Sequence, residues 1–225
     1  METDVCSRLT VVPLTPERLD DFLAFFETAL PEEEWGYRCY CAAFCGKDNC
    51  SEEGMEKPEV RREAAIRYIR EGTLCGYLAY EGDTVVGWCS ANDRNASRKC
   101  FGVRWILGGE LSETEEKAMS VFCFEVAPAH RGHHVAATLL SHLIEDAQAL
   151  GCKFVEGYPL RESPEAVTEN YSGHIELYEK HGFRPIGEMP NGHTVMRKML
   201  LDKADAGREI DRATKSRGKA DRYDD

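Results

Sequence analysis

The sequence lacks a surplus of positive charge. Of its 225 residues, 28 are Lys or Arg and 40 are Asp or Glu, which gives a formal net charge of −12. Nucleic-acid backbones and anionic membranes carry dense negative charge, so a strongly acidic chain has no general affinity for either. The composition therefore predicts no nucleic-acid partner and no membrane partner, and it favours a cationic substrate.

Long apolar runs are also missing. No stretch approaches the roughly 20 apolar residues that a transmembrane helix needs, and residues 1–21 show no basic segment followed by an apolar core. We therefore expect a cytoplasmic protein. A chain of this length can bury a full core without disulfides or metal ions. We predict one domain over residues 1–201 and a charged C-terminal tail over residues 202–225.

The ten cysteines contain no paired C-x-x-C motifs of the kind found in zinc ribbons. Four of them cluster with irregular spacing: Cys39, Cys41, Cys45 and Cys50. Four thiolates satisfy tetrahedral zinc, but this spacing matches no common structural site. We expect reduced thiols and no bound metal, and we keep a cysteine-based metal or redox module as an alternative.

The most informative stretch is residues 121–151, VFCFEVAPAHRGHHVAATLLSHLIEDAQALG. It begins with a predicted buried strand, which Pro128 ends, and Arg131-Gly132 then forms a flexible cationic turn. An amphipathic helix follows, with apolar residues three and four apart: Val135, Ala136, Leu139, Leu140, Leu143, Ile144, Ala147 and Leu150. The start of such a helix leaves backbone N–H groups unpaired at the positive end of the macrodipole, which predicts phosphate binding.

The turn contains neither G-x-G-x-x-G nor G-K-[ST], the glycine-rich loops of dinucleotide and nucleotide sites. It resembles instead the coenzyme A signature of the GNAT N-acetyltransferase superfamily, whose core is [RQ]-x-x-G-x-[GA]. Arg131 and Ala136 match the ends of this core, and His134 occupies the place of its middle glycine. The resemblance implies acetyl-CoA as cosubstrate, with these binding residues: Phe124, Glu125, Val126, Arg131, Gly132, His133, His134, Val135 and Ala136.

A second block supports this resemblance. Residues 177–183, L-Y-E-K-x-G-F, are similar to the second signature block of the superfamily, in which a tyrosine at the position of Tyr178 commonly sits beside the coenzyme sulfur. The resemblance implies that Tyr178 is the acid that protonates the departing thiolate. The alternative is a tyrosine that only packs its ring under the sheet. The asparagine that usually starts the block is displaced, because Tyr171 holds its place beside Asn170.

Two carboxylates interrupt the predicted apolar strands, Glu125 and Glu156. Burial raises the pKa of a carboxylate, so each is a candidate for the base that deprotonates the acceptor ammonium or for the anchor of a cationic substrate. Deprotonation through water is an alternative in this superfamily. The resemblance also implies that backbone N–H groups around Phe124 to Val126 hold the thioester carbonyl.

The fold implied by the resemblance is α/β (α+β), with a central mixed, mostly antiparallel sheet of six to seven strands flanked by helices. Local patterns predict strands near Val11, 74–80, 84–91, 121–126, 153–158, 183–188 and 193–200, a further candidate strand at 101–107, and helices at 15–30, 58–71, 135–150 and 174–182.

The segment at about 31–57 is rich in cysteine and aromatic residues. In the superfamily, the segment after the first helix commonly lines the acceptor pocket, which implies Trp35, Tyr37 and Tyr40 as substrate contacts; core packing is the alternative. The function implied is transfer of an acetyl group from acetyl-CoA to a primary amine of a small molecule or peptide. An idle acyl-CoA-binding or regulatory domain is the main alternative, and a homodimer stays open.

Overall fold

The computed structural model describes residues 9–30, 38–45, 57–160 and 170–200. These residues contain seven strands: β1 Leu9–Pro13, β2 Gly76–Glu81, β3 Thr84–Asp93, β4 Ala118–Val126, β5 Phe154–Gly157, β6 Arg184–Glu188 and β7 Thr194–Met199. The strands form one sheet in the order β1-β2-β3-β4-β5-β7-β6. The β4–β5 pair is parallel and the other five pairs are antiparallel.

The helices of the described residues are α1 Leu19–Ala24, α2 Pro58–Arg70, α3 Arg94–Ser97, α4 Phe101–Ile106, α5 Val135–Ala149 and α6 Ile175–Lys180. A π-helical turn at Phe25–Ala29 continues α1. Short 3-10 helices cover Pro16–Arg18, Ala42–Phe44, Pro128–His130 and Asn170–Ser172. Within the described part of the chain, no helix is both long and apolar enough to span a bilayer.

The helices cover both faces of the sheet. On one face, α5 buries a leucine-rich stripe that includes Leu139, Leu140 and Leu143, all completely buried, against Ala79 and Val121 of the strands. This is the three- and four-residue spacing that the sequence predicts. On the opposite face, α1 and α2 pack against β2 and β3. The sheet is therefore an inner layer, which confirms the predicted fold class.

One predicted element is wrong. Residues 101–107 alternate apolar and other residues as a strand does, but the chain forms helix α4 there. The sheet has no place for this segment because β3 and β4 already pair with each other along Gly87 to Asp93. As a helix, the segment buries Val103 and Leu107, four residues apart, in one small cluster. The other predicted strands and helices are confirmed within a few residues of their ends.

Candidate active site

The sheet opens between its two parallel strands. β4 and β5 pair only from Ala118 with Phe154 to Val121 with Gly157. Beyond Gly157 the chain follows β7, where the Thr194 N–H donates to the Pro159 carbonyl at 2.9 Å. β4 meanwhile continues beside β3 as far as Val126. The two strands therefore diverge as a fork, and in the described residues no strand pairs with the β5 side of β4 beyond Val121.

The fork begins at a β-bulge. Ser90 of β3 pairs with Cys123 and the next residue, Ala91, pairs with Val121, so Phe122 has no partner in β3. A bulge bends the strand and increases its twist. The bulge at Phe122 therefore coincides with the residue at which β4 leaves β5.

Backbone N–H groups line the β4 side of the fork. The Ala127 N–H donates to the Val86 carbonyl of β3 at 3.0 Å. Successive N–H groups of a strand point to opposite sides, so the N–H of Glu125 points toward β3, and those of Phe124 and Val126 point into the fork. These two donors belong to the segment for which the resemblance implies a carbonyl-binding role.

The turn after β4 has a shape suited to an anion. Gly132 has φ of +78° and His134 has φ of +62°, and His134 is the N-cap of the 15-residue helix α5. Its side chain makes no capping hydrogen bond, and the first turn of α5 contains no acidic residue. The first N–H groups of α5 therefore lack a side-chain acceptor there. Arg131 is exposed, and its Nε donates to the Val126 carbonyl at 3.1 Å, which ties the turn to the end of β4.

The three histidines of the turn differ in their contacts. His130 Nε2 lies 3.2 Å from a carboxylate oxygen of Glu81, so this side chain connects the turn to β2. His133 and His134 are exposed. Of the three, His133 and His134 are thus the ones available as side-chain donors to a phosphate.

Replacing His134 with glycine should increase stability. A left-handed conformation costs a non-glycine residue about 1–2 kcal/mol, and the greater entropy of unfolded glycine offsets part of that gain. We expect the free energy of unfolding in urea to rise by about 0.5–1 kcal/mol. The control is Ala136→Gly, in the helical first turn of α5, which should lower it by about 1 kcal/mol. A loss of stability in His134→Gly would show that the imidazole holds the turn.

Tyr178 lies where the fork closes. A Cβ added to Gly157 would lie 2.1 Å from Cε1 and 2.6 Å from the hydroxyl oxygen of Tyr178, so the phenol rests directly on the last β5 residue that pairs with β4. The ring also contacts Phe124 edge to face, and the hydroxyl donates to the Ser172 carbonyl at 2.9 Å. Burial raises the pKa of Tyr178 well above its ordinary value, so the phenol remains protonated at neutral pH.

Glu125 lies next to a group of thiols. Its Oε1 is 3.9 Å from the Cys123 thiol, which also contacts Cys41. The Trp88 Nε1–H donates a hydrogen bond to Cys41 Sγ at 3.1 Å. Burial raises the pKa of Cys41 well above its ordinary value, which leaves a protonated thiol of low nucleophilicity. The side chain of Glu125 is only partly buried, and it is the carboxylate nearest to the open end of the fork on β4.

Glu156 has a different environment. It is completely buried on β5, and both carboxylate oxygens accept hydrogen bonds from arginines. Arg94 Nε donates to Oε2 at 2.6 Å, and Arg197 donates to Oε1 through Nε at 2.8 Å and through a terminal nitrogen. The Tyr158 hydroxyl donates to Oε2 at 2.8 Å. A proton accepted by Glu156 would have to displace one of these bonds.

The predicted substrate contacts are only partly described. Trp35 and Tyr37 lie outside the described residues. Tyr40 is 3% exposed, and its ring packs at 5.6 Å from that of Phe26 in the core below α1. A substrate-binding role of Tyr40 therefore stays a prediction, and its observed contacts are those of core packing.

The cysteine cluster is also incompletely described, because Cys50 lies outside the described residues. Cys39, Cys41 and Cys45 form no disulfide bond. Among the residues that the structure describes, no group of three or more His, Cys, Asp or Glu side chains is arranged to hold a metal ion.

Two features of the site were not predicted from the sequence. The Tyr178 ring packs directly against Gly157, where a Cβ would clash with it, and the Tyr158 ring stacks on that of the bulge residue Phe122 with centroids 5.3 Å apart. The only local signal is the Gly157-Tyr158 pair at the end of a predicted strand. Both roles depend on contacts between residues far apart in sequence.

A mixed sheet that opens between its two parallel strands, followed by a positive-φ turn at an uncapped helix, defines an α/β fold of the acetyltransferase type. The sequence matches the model of the Acetyltransferase (GNAT) family over residues 43–183, more than half of the chain. The chain therefore belongs to the GNAT acetyltransferase family, which confirms the resemblance inferred from the motifs.

Solved structures support the fold. PaiA N-acetyltransferase from Thermoplasma acidophilum, in complex with coenzyme A, is 14% identical, with 85% of this chain and 99% of that chain covered and a TM-score of 0.50. An N-acetyltransferase from Staphylococcus aureus Mu50 is also 14% identical, with 86% of this chain and 99% of that chain covered and a TM-score of 0.50. The GNAT domain of S. lividans PAT is 19% identical, with 84% of this chain and 89% of that chain covered and a TM-score of 0.50. A comparison with curated proteins found no match.

Proposed function

We propose that this protein is an acetyl-CoA-dependent N-acetyltransferase that moves an acetyl group to a primary amine of a small molecule or peptide. Transfer occurs by direct attack of the amine in a ternary complex. The observation that carries the proposal is the convergence, at one fork, of two inward-directed amides on β4, a protonated tyrosine and a cationic turn at a helix start.

The turn supports acetyl-CoA as the cosubstrate. Pyrophosphate is complementary to a helix N-terminus that lacks a side-chain cap and to the guanidinium of Arg131 beside it. Gly132 has no atom within 4 Å of the place where a Cβ would lie, so the backbone of the turn is open to a ligand. The pantetheine arm would then run along the free side of β4 toward Gly157.

Three groups divide the chemistry. The amides of Phe124 and Val126 donate to the thioester oxygen as negative charge develops on it. Glu125 accepts the proton that the ammonium must lose before nitrogen can attack, directly or through water. Tyr178 supplies the proton for the departing thiolate. Its one hydroxyl proton is donated to the Ser172 carbonyl, so this bond must be exchanged for one to sulfur during the reaction.

Cys41 and Cys123, the buried thiols near Glu125, are poor competing nucleophiles because their pKa values are raised. A covalent route would need a thiolate beside the thioester, and buried Cys41 is held in the protonated form. This supports direct attack over an acetyl-cysteine intermediate. The net charge of −12 supports a cationic acceptor, because an acidic molecule attracts cations over long range.

The proposal is tested by release of free CoA from acetyl-CoA in the presence of polyamines, aminoglycosides, amino acids or peptides. We expect amine-dependent release with at least one class. Tight binding of acetyl-CoA with no release for any amine would contradict transfer and identify an idle acyl-CoA-binding domain.

The position of the coenzyme is tested by Gly132→Val. A β-branched residue cannot easily adopt φ of +78°, so the turn should distort and acetyl-CoA affinity should fall by about tenfold or more. Gly151→Val is a matched control, because Gly151 has φ of +77° and equally open surroundings at the opposite end of α5. We expect similar losses of stability in both variants, and a loss of affinity by calorimetry only in Gly132→Val. Equal affinities would place the coenzyme elsewhere.

A further inference from the structure

A buried polar network lies behind the fork. Ser120, Glu156 and Arg197 lie side by side on β4, β5 and β7, where Ser120 pairs with Glu156 and Glu156 with Arg197. Arg94 reaches Glu156 from α3, and its side chain is only 4% exposed. The Tyr158 hydroxyl completes the network, since its oxygen is 2.8 Å from both Ser120 Oγ and Glu156 Oε2. With one proton, this hydroxyl donates to Glu156 and accepts from Ser120.

The network fixes the Tyr158 ring against the bulge. The ring stacks on Phe122 with centroids 5.3 Å apart and planes 11° apart. Phe122 stacks on Phe44 on its other side, at 5.0 Å and 6°. The residue that β3 leaves unpaired is thus clamped between two rings, and one of these rings is held by hydrogen bonds at its outer end.

We propose that Glu156 and Tyr158 are positioning residues, which hold the Phe122 bulge and so aim the Phe124 and Val126 amides at the reacting carbonyl. The inference rests on the acetyl transfer proposed above. It assigns Glu156 to the support of the fork and leaves the base role to Glu125. A displacement of donors by a fraction of an ångström is enough to lower turnover, because catalysis depends on near-attack geometry.

The composition of the network favours this role over simple stabilisation. Burying a carboxylate beside one buried guanidinium, Arg94, and one partly exposed guanidinium, Arg197, carries a large desolvation penalty, and apolar packing of the same volume often stabilises a protein as well or better. Apolar packing would leave the Tyr158 ring free to slide over Phe122. Hydrogen bonds to both Ser120 and Glu156 fix its position along and across the strands.

The test uses Tyr158→Phe, which removes both hydrogen bonds of the Tyr158 hydroxyl, and Ser120→Ala, which removes one of them. Both variants keep the ring stack on Phe122. We expect kcat to fall by about three- to tenfold in each, with the Kd of acetyl-CoA within about twofold of wild type. The acidic limb of the pH–rate profile should stay in place. The Phe124 and Val126 amide resonances should shift in NMR spectra of both variants.

The control is Ile69→Val, which removes a methyl group from the buried packing of α2, in a core cluster separate from the one that holds Phe122 and Tyr158. It should lower Tm without changing kcat or either resonance. The inference would be overturned if Tyr158→Phe, assayed below the unfolding temperature of the variant, had the kcat of the wild type. It would also be overturned if Glu156→Gln lost the acidic limb of the pH–rate profile. If the wild-type protein transfers no acetyl group, the proposed function fails, whatever the NMR result. Unchanged Phe124 and Val126 amide resonances in Tyr158→Phe would overturn the positioning inference, whatever the activity.

Discussion

Replacing Tyr178 with phenylalanine is expected to lower turnover by about ten- to a thousandfold, in line with general-acid contributions. The substitution keeps the ring on Gly157 and Phe124 and removes the one ionisable proton. Acetyl-CoA affinity should barely change, because the ring keeps its place at the closed end of the fork. Because burial raises the pKa of Tyr178, its deprotonation should add no basic limb to the wild-type pH–rate profile below about pH 10.

The matched control is Tyr77→Phe. Tyr77 is also buried, on the α5 face, and its hydroxyl bonds Asp146 away from the fork. Both variants lose one hydrogen bond, which costs about 1 kcal/mol of stability, and only Tyr178→Phe should lose turnover. A parallel loss of turnover and acetyl-CoA binding would indicate a positioning role for Tyr178. Full activity would remove Tyr178 from the mechanism.

Glu125→Gln is expected to lower turnover by about 10²- to 10⁴-fold at neutral pH. The base works only when deprotonated, so the wild-type rate should rise with pH through the pKa of the base, which gives an acidic limb. Glutamine accepts no proton, so this limb should disappear from the pH dependence of kcat/KM. The measurement is the initial rate across pH with saturating acetyl-CoA.

Glu188→Gln serves as the control, since Glu188 is exposed on β6 and the substitution changes the net charge equally. It should leave both the rate and the acidic limb unchanged. An acidic limb that persists in Glu125→Gln, with a loss of less than about tenfold, would contradict Glu125 as the base and favour deprotonation through water by another group.

The parts of the site that sequence could predict are those with local signals. The strand, the Arg131-Gly132 turn and α5 follow one another within about 30 residues, and each carries its own pattern of propensity or periodicity. Tyr178 was predicted because the L-Y-E-K-x-G-F block surrounds it. The structure explains why the motif has glycine at the position of His134, because φ of +62° is a conformation that glycine adopts at least cost.

The parts that sequence could not predict depend on distant residues. The bulge at Phe122 is defined only by its register with β3, and nothing in V-F-C-F-E-V marks it. The two arginines that bond Glu156 are 62 and 41 residues away in sequence. Glu125 and Glu156 therefore look alike in sequence, as single carboxylates within apolar strands, and differ only after the sheet has formed. The helix α4 was missed because Phe101, Val103 and Trp105 alternate as they would in a strand.

The most direct test of acetyl transfer at this fork is a reaction with acetyl-CoA labelled in the acetyl group, in which mass spectrometry follows the label on the protein and on the acceptor. Direct attack in a ternary complex predicts that the label appears on a nitrogen of the amine, with none on the protein when the amine is omitted. Label on a thiol such as Cys39 or Cys41, formed without amine and passed on when amine is added, would contradict direct attack. Label that never leaves CoA would contradict transfer itself.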